Sequence, residues 1–262
     1  MARVFKRAAP FVVPAALRWV NSMSDKLKIG VVVADTEEYR PFGAAAAAFG
    51  AQDYSCLGKE GIRFKISGKS HSAEVVAVLC GIGKVNAATA ATVLATEGCD
   101  IMLNYGLSGG ISRARRGQLV LADRFLEHDF DLTPLGFAPC EKPEQRYIYT
   151  ADTRLVSAFR SVVGDITAGT AVCGDRFISN DQDRLFFKEN FDAVSCDMET
   201  AAIASVCDMA DIPFVALRRI SDDAGDDACD SYREMNTSGE TVLSDIFIDC
   251  IKAVADEFGG DR

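Results

Sequence analysis

The sequence lacks the patterns that are typical of metal sites, membrane-spanning segments and nucleic-acid-binding surfaces. Only two of its 262 residues are histidine, and its nine cysteines form no C-x-x-C pair, so the ligand spacing of a zinc site is absent. Acidic residues outnumber basic ones by 38 to 28, which leaves no broad basic surface for a phosphate backbone. No run of 18 apolar residues occurs. We therefore expect no metal, no nucleic acid partner and no membrane segment.

The composition predicts a single domain with a sizeable core. Hydrophobic residues make up 48% of the chain, and no linker-like shift in composition or repeat divides it. The cysteines are odd in number and lie mostly in apolar stretches such as residues 76–80. They are typical of buried, reduced thiols in a reducing compartment, so we expect a cytoplasmic protein.

The N-terminal 25 residues differ in kind from the remainder. The first 22 carry basic side chains and no acidic one, and residues 8–17 are largely apolar. A targeting presequence, a short secretory signal and an upstream extension with a functional start at Met23 all fit this pattern. We treat residues 1–25 as an N-terminal extension and residues 26–262 as the domain.

Short β-rich runs alternate with helical ones from residue 27 onward, which favours an α/β fold with a mainly parallel sheet. In such sheets, ligands bind beyond the C-terminal ends of the strands. The predicted strands are residues 27–34, 62–67, 74–80, 101–105, 118–122, 168–173, 193–196 and 214–220, and the predicted helices are residues 37–49, 84–97, 153–162, 182–189, 199–209 and 239–258.

Polar groups follow five of these strands, where a core would not accommodate them. They are the acids of 35–38, the G-x-G-K of 81–84, the glycine turn predicted at 106–110, the Asp197 and Glu199 pair, and the run from Arg218 to Asp222. Several of these groups also have a structural explanation, because acidic residues are favoured at helix N-termini and Asp197 could cap the next helix. A buried Arg218 requires a carboxylate partner, for which Glu38 and Glu199 are the candidates.

Two familiar ligand motifs are absent. The glycines at 81 and 83 lack the third glycine of a dinucleotide fingerprint, since Asn86 stands in its place. The acidic run 222–230 lacks the alternating ligands and distal glutamate of a calcium loop. We expect that run to be a solvated loop.

Seven motifs occur in order and at matching spacing along the chain. They are KIGVVVADTEE (28–38), CGIGKVNAATAATVL (80–94), NYGLSGGI (104–111), HDFDLTPLGF (128–137), CGDRFI (173–178), SCDMETAAIASVC (195–207) and PFVALRRISDDA (213–224). The set resembles the 5′-methylthioadenosine/S-adenosylhomocysteine nucleosidases, within the nucleoside phosphorylase superfamily, over about residues 26–258. The resemblance implies a three-layer α/β/α sandwich with a mixed, mainly parallel central sheet, a homodimer, no cofactor, and hydrolysis of an adenine thionucleoside.

The resemblance also implies roles for individual residues. Glu38 matches the general base that activates water, and Asp222 matches the general acid at the purine. The positions matching substrate-binding residues are Gly109, Phe177, Ile178, Met198, Glu199, Arg218 and Ser221. Of these, Met198 and Glu199 match the ribose-binding pair, and the segment 128–137 is a candidate for closing the 5′ pocket across the dimer.

The chemistry of the bond agrees with these roles. Cleavage between sugar and base leaves a purine anion unless N7 is protonated, and it builds positive charge on the sugar. Asp222 must therefore hold a proton near pH 7, although a free aspartate titrates near ~3.9. Glu199 is expected to stay ionised, so that it accepts the ribose hydroxyls and stabilises the cationic sugar.

The residues favour water over phosphate as nucleophile. Phosphorylases of the superfamily carry an arginine about where Glu38 stands, and another where this chain has Asn104. A phosphate anion 4 Å from Glu38 would be repelled by ~4 kcal/mol at an effective dielectric of about 20. A phosphorylase, a hydrolase of another nucleoside such as futalosine, and a non-catalytic nucleoside-binding protein remain the alternatives.

Three residues depart from the family pattern and leave the substrate range open. Leu107 stands where the nucleosidases carry a serine, with Ser108 one place later. Asp197 replaces a glutamate, and Arg219 replaces a small residue. Methylthioadenosine, adenosylhomocysteine and 5′-deoxyadenosine all remain possible substrates.

Overall fold

The computed structural model describes residues 26–237 and 242–260, so the predicted extension at 1–25 lies outside the described residues. The strands are β1 (Leu27–Val33), β2 (Gln52–Cys56), β3 (Lys59–Ser67), β4 (Ser72–Leu79), β5 (Ile101–Gly110), β6 (Leu119–Glu127), β7 (Ile148–Thr150), β8 (Thr167–Cys173), β9 (Ala193–Asp197) and β10 (Phe214–Asp222). The helices are α1 (Thr36–Ala47), α2 (Lys84–Thr96), α3 (Thr153–Val163), α4 (Asp181–Phe191), α5 (Thr200–Ala210), α6 (Ala228–Thr237) and α7 (Val242–Gly259). Within these ranges no helix is both long enough and apolar enough to cross a bilayer.

The strands form one mixed sheet in the order β10-β6-β8-β9-β5-β1-β4-β3-β2, with β7 paired to β6. Strand β1 pairs in parallel with β4 and β5, β8 with β6 and β9, and β5 with β10. The pairs β5–β9 and β6–β10 are antiparallel. Because β10 pairs with both β6 and β5, five of the strands close into a ring. The predicted mixed sheet is therefore confirmed.

Helices cover both faces of the sheet, which gives the predicted three layers. On one face α7 places Phe247 against Tyr105, with ring centroids 4.6 Å apart, and against Phe42 and Phe159. On the other face α2 and α5 are rich in alanine, and small residues such as Ala90 allow close packing on the sheet. Each face thus has its own hydrophobic cluster.

The predicted glycine turn at 106–110 is wrong, because β5 continues as a strand to Gly110. Neighbouring strands hydrogen-bond to this half of β5 on both sides: β10 on one side, and β9 at Gly109 and Gly110 on the other. These glycines do not bend the strand. They leave space for neighbouring side chains. A Cβ on Gly106 would lie 2.7 Å from both Arg218 Nη1 and Glu38 Oε1.

Three further elements differ from the prediction. The acidic run 222–230 is not wholly a loop, because α6 begins at Ala228. The described part of the predicted closing helix is Val242–Gly259, and residues 239–241 of that prediction lie outside the described residues. The sequence analysis missed β2, whose residues are exposed or half-buried and lack an apolar pattern, and β7, which has only three residues.

The cysteines are free thiols, and seven of the nine are buried. Cys56 is half-buried and Cys229 is exposed. The prediction of reduced core thiols is therefore confirmed for most of them.

Two methionines provide a matched test of this packing. Met102 in β5 is fully buried, whereas Met209 in α5 is 76% exposed. We expect Met102→Ala to lower the free energy of unfolding by about 2–5 kcal/mol, because it leaves a cavity between sheet and helices. Met209→Ala should change it by less than about 0.5 kcal/mol. Urea unfolding of both variants measures this, and equal effects would contradict the assigned packing.

Candidate active site

A cavity of about 170 Å³ opens where the C-terminal ends of β1, β5, β9 and β10 meet. Eight of the nine residues predicted for the site line it: Glu38, Gly109, Phe177, Ile178, Met198, Glu199, Ser221 and Asp222. The ninth, Arg218, is fully buried and contacts two of the acids that line the cavity. The strand-end groups of the sequence analysis therefore converge on one pocket.

The start of α1 positions Glu38. Asp35 is the N-cap of this helix, and its side chain accepts a hydrogen bond from Glu37 N at 2.7 Å. In return Glu38 Oε2 accepts from Asp35 N at 3.3 Å, which completes a capping box. Glu38 Oε1 also accepts a hydrogen bond from Leu107 N at 2.6 Å. Both carboxyl oxygens are thereby held in place by backbone donors.

The Glu38 carboxyl group is buried, and this burial raises its pKa to about 7. The positive charge of Arg218 and the hydrogen bond from Leu107 oppose the rise, whereas the charges of Glu199 and Asp35 add to it. A carboxylate that titrates near neutral pH is well suited to take a proton in catalysis.

Arg218 lies beneath the pocket between carboxylates. Its Nη2 is 3.4 Å from Asp197 Oδ1 and 3.6 Å from Glu199 Oε2, and all three side chains are buried. The charge of Glu38 also acts on it. The sequence analysis named Glu199 and Glu38 as candidate partners, and the structure adds Asp197. A buried guanidinium without these partners would be strongly destabilising.

Asp197 and Glu199 join β9 to α5. Asp197 Oδ1 accepts hydrogen bonds from the backbone N–H groups of Glu199 and Thr200, at 2.9 and 2.8 Å, so its capping role is confirmed. Glu199 Oε1 accepts from Gly83 N at 2.9 Å. The G-x-G-K segment at the start of α2 therefore binds a carboxylate of the protein itself. Burial raises the pKa of Glu199, and Arg218 opposes that rise.

Asp222 ends β10 on the far side of the pocket. The pairing of β10 with β5 shifts register between Ile220 and Asp222, and a bulge of this kind re-aims a side chain. Asp222 Oδ2 accepts from Ser221 Oγ at 2.6 Å, and Oδ1 accepts from Ala224 N at 2.8 Å. Burial raises the pKa of Asp222, although these two hydrogen bonds lower it. The direction of the shift is the one that a proton donor needs.

The residues that depart from the family pattern lie at different places relative to the pocket. Leu107 supplies its backbone N–H to Glu38, so its apolar side chain does not prevent that contact. Arg219 is half-buried and lines a separate small cavity with Glu37 and Ser244, outside the pocket. Asn104 is buried in the sheet, where its Nδ2 donates to Val32 O at 2.8 Å.

Side chains that were not predicted for the site also line the pocket, among them Asp35, Arg176 and Tyr232. Tyr232 reaches it from α6, with its ring 5.5 Å from that of Phe177 at an interplanar angle of 68°. A lone tyrosine in a polar stretch carries no periodic signal that points to a pocket. Asp35 belongs to the acidic cluster 35–38, for which the sequence left a helix-start role open. The described segment 128–137 does not line this pocket within one chain.

Comparisons with known proteins agree with this geometry. The family model described as Phosphorylase superfamily matches residues 28–252. A 5′-methylthioadenosine/S-adenosylhomocysteine nucleosidase of Anoxybacillus flavithermus is 35% identical over 185 residues, which cover 68% of this chain and 77% of that relative.

Solved structures share the fold. The S-adenosylhomocysteine nucleosidase from Streptococcus pyogenes, in complex with 5-methylthiotubericidin, is 27% identical with a TM-score of 0.76, and the match covers 88% of this chain and 98% of that one. Futalosine hydrolase of Helicobacter pylori has a TM-score of 0.77 at 23% identity, covering 86% and 97% of the two chains. That second likeness shows the fold alone.

The family model covers residues 28–252, and the structure has the mixed sheet with polar groups at its strand ends. The chain is therefore a member of the phosphorylase superfamily. The family resemblance drawn from the seven motifs is confirmed by the comparison of whole sequences. Within the superfamily, the chain belongs to the 5′-methylthioadenosine/S-adenosylhomocysteine nucleosidases.

The raised pKa of Glu38 predicts a stability effect. The folded state disfavours the ionised carboxylate, so wild-type stability falls as pH rises from the ordinary pKa of 4.5 through about 7. Glu38→Gln lacks this charge, and we expect it to be more stable than wild type by up to about 3 kcal/mol at pH 8. The difference should vanish below pH 4.5.

Thermal unfolding of both proteins at several pH values measures the effect. Glu37→Gln is the matched control, because Glu37 is a half-exposed residue of the same turn that pairs with Arg40. A Glu38→Gln variant that is less stable than wild type at pH 8 would show that the ionised Glu38 carboxylate does not destabilise the folded state.

Proposed function

We propose that this chain hydrolyses the N-glycosidic bond of 5′-methylthioadenosine, S-adenosylhomocysteine or both, and releases adenine and a 5-thioribose product. The observation that carries the proposal is the placement of Glu38 and Asp222 on one pocket, with Glu199 lining the same space. Relatives at 35% identity are nucleosidases for these compounds by name. The three carboxylates supply the base, the acid and the charge stabilisation that the reaction requires.

Asp222 acts at the base. Its raised pKa lets it donate a proton to purine N7 as the C1′–N9 bond breaks, so that adenine leaves as a neutral molecule. The electron pair of the broken bond stays on the base. Phe177, which is 39% exposed, and Ile178 line the pocket and provide apolar surface for the purine ring. Ser221 keeps the Asp222 carboxyl oriented through its hydrogen bond.

Glu38 acts at the sugar. It accepts one proton from a water molecule while the water oxygen forms the new bond to C1′, so the sugar ends with a hydroxyl group. Glu199 accepts hydrogen bonds from the ribose hydroxyls beside Met198, and its charge stabilises the cationic sugar. Arg218 is a positioning residue, because its guanidinium lies between Glu199 and Asp197.

Water is the nucleophile that the charges favour. A phosphate dianion at the same place would face Glu38 and Glu199, and Arg218 is already paired with Glu199 and Asp197. Each unit of this charge is repelled from Glu38 by ~4 kcal/mol at 4 Å and an effective dielectric of about 20. Glu38 and Asn104 occupy the two positions where phosphorylases carry an arginine. Arg176 lines the pocket from another position, and its guanidinium is paired with Asp183.

A homodimer forms part of the proposal. Ile82 lines the pocket, and three apolar side chains, Ile82, Val85 and Leu135, are 49%, 77% and 72% exposed. Apolar surface of this kind is typical of an interface. The second copy would bring its segment 128–137 over the 5′ side. We place this enzyme in the cytoplasm, because its buried free thiols suit a reducing compartment, and we propose that residues 26–262 act as one domain.

The reaction type has a direct test. We expect purified protein to release adenine and free 5-methylthioribose from methylthioadenosine at equal rates with and without phosphate. Asp222→Asn should lower kcat by at least about a hundredfold, because it removes the acid, while a substrate analogue still binds. Product analysis by mass spectrometry decides between the reactions.

Each alternative has its own outcome in that assay. Phosphate dependence with a pentose-1-phosphate product would make the chain a phosphorylase. Cleavage of futalosine with no release from methylthioadenosine would assign another substrate. Binding of the analogue by wild type without any cleavage would make the chain a nucleoside-binding protein.

The pKa of Glu38 sets the acid side of the pH profile. A base must be deprotonated to take the proton of water, so kcat/KM should fall about tenfold per pH unit below about 7. Initial rates between pH 5 and 9 at constant ionic strength measure this. A value of kcat/KM that stays constant down to pH 5 would exclude Glu38 as the base.

A further inference from the structure

One carboxylate of the pocket has no part in the proposed hydrolysis. Asp35 lines the cavity together with Glu38, three residues further along the chain. Its hydrogen bonds to the start of α1 require only an oxygen, and the helix dipole stabilises a negative charge there. The same charge also lies on the wall of the pocket, where it acts on a bound ligand.

Tyr232 lines the same cavity. Burial raises the pKa of its phenol, and the charge of Asp35 raises it more than the charges of Glu38, Glu199 or Asp222 do. Asp35 thus acts most strongly of these carboxylates on the hydroxyl group. The phenol stays protonated, and it lines the cavity as a polar group beside a carboxylate.

Some lining residues already have a part of the nucleoside assigned to them, so the others are available to the 5′ substituent. Asp222 and Phe177 belong to the base, and Glu199 belongs to the ribose hydroxyls. With these two parts of the nucleoside assigned, the lining residues without an assigned part include Ala34, Asp35, Ile82 and Tyr232. Arg176 also lines the cavity, but its guanidinium is paired with Asp183 at 3.0 Å. An apolar 5′ group would need only the small and branched side chains, Ala34 and Ile82.

We propose that Asp35, assisted by the Tyr232 hydroxyl, is a specificity residue that selects nucleosides with an ammonium group on the 5′ substituent. S-adenosylhomocysteine carries such a group, whereas methylthioadenosine does not. The inference rests on the proposed hydrolysis and names which of its substrates the pocket favours. A cationic group adjacent to Asp35 gains a charge-assisted hydrogen bond that a methyl group cannot make.

Two isosteric substrates separate charge from size. The 5′-(3-aminopropylthio) and 5′-butylthio derivatives of 5′-deoxyadenosine differ only in an ammonium in place of a methyl group. We expect wild type to favour the amine by about tenfold or more in kcat/KM at low salt, as a partly buried ion pair would. Asp35→Asn, which retains the helix cap, should reduce this ratio to between about one and three.

Two more variants complete the test. Tyr232→Phe keeps the ring contact with Phe177 and should lower the preference by a smaller factor. Glu37→Gln removes a neighbouring charge that lies outside this pocket and should leave the ratio at the wild-type value. Because each ratio is taken within one protein, a general loss of activity cancels from it.

The outcomes separate this inference from the proposed function. A wild-type ratio of one or less, or an Asp35→Asn ratio equal to that of wild type, would overturn the role of Asp35 while hydrolysis stands. Failure of wild type to release adenine from either compound would overturn the hydrolysis itself.

Discussion

The buried guanidinium of Arg218 is the group around which the site is organised. It enters the sheet on β10, a strand that is otherwise largely apolar, and it is held between Asp197 and Glu199. Removing a buried partner of such a cluster leaves an uncompensated charge, which is strongly destabilising. The acids at the ends of β9 and at the start of α1 are tolerated in the interior because this one cation lies among them.

The surroundings of the carboxylates explain how they can have different chemical roles. Burial raises the Glu38 pKa to about 7 against the opposing effects of Arg218 and the Leu107 N–H. Burial also raises the pKa of Glu199, and Arg218 and the Gly83 N–H oppose that rise. Asp222 lies apart from Arg218, next to Ser221, and burial raises its pKa as well. Separate environments for two carboxyls on one pocket are the usual way in which a protein obtains both a base and an acid. The glycines of β5 make room for this arrangement, since a side chain at Gly106 would displace both Glu38 and Arg218.

The alternation of strands and helices was readable from the sequence because each buried strand is a short apolar run, as at β1. The positions of the site residues followed from the same pattern, since the C-terminal ends of parallel strands meet at one edge. What could not be read depends on tertiary pairing. Gly106 to Gly110 resembles a turn until β9 and β10 pair with it. Tyr232 contributes to the pocket only because α6 packs over it, and Asp35 serves as a cap and as pocket wall at once.

Glu38 and Asp222 lie on opposite sides of a single sugar–base linkage in this interpretation, and a ligand complex tests it directly. A crystal structure with a non-cleavable C-nucleoside analogue of methylthioadenosine, which carries an N–H at the position of N7, shows both contacts in one measurement. The expected result is an Asp222 carboxyl oxygen within about 3 Å of that ring nitrogen and Glu38 hydrogen-bonded to a water below the anomeric carbon. A complex in which either carboxyl group contacts neither the ring nitrogen nor such a water would contradict this interpretation.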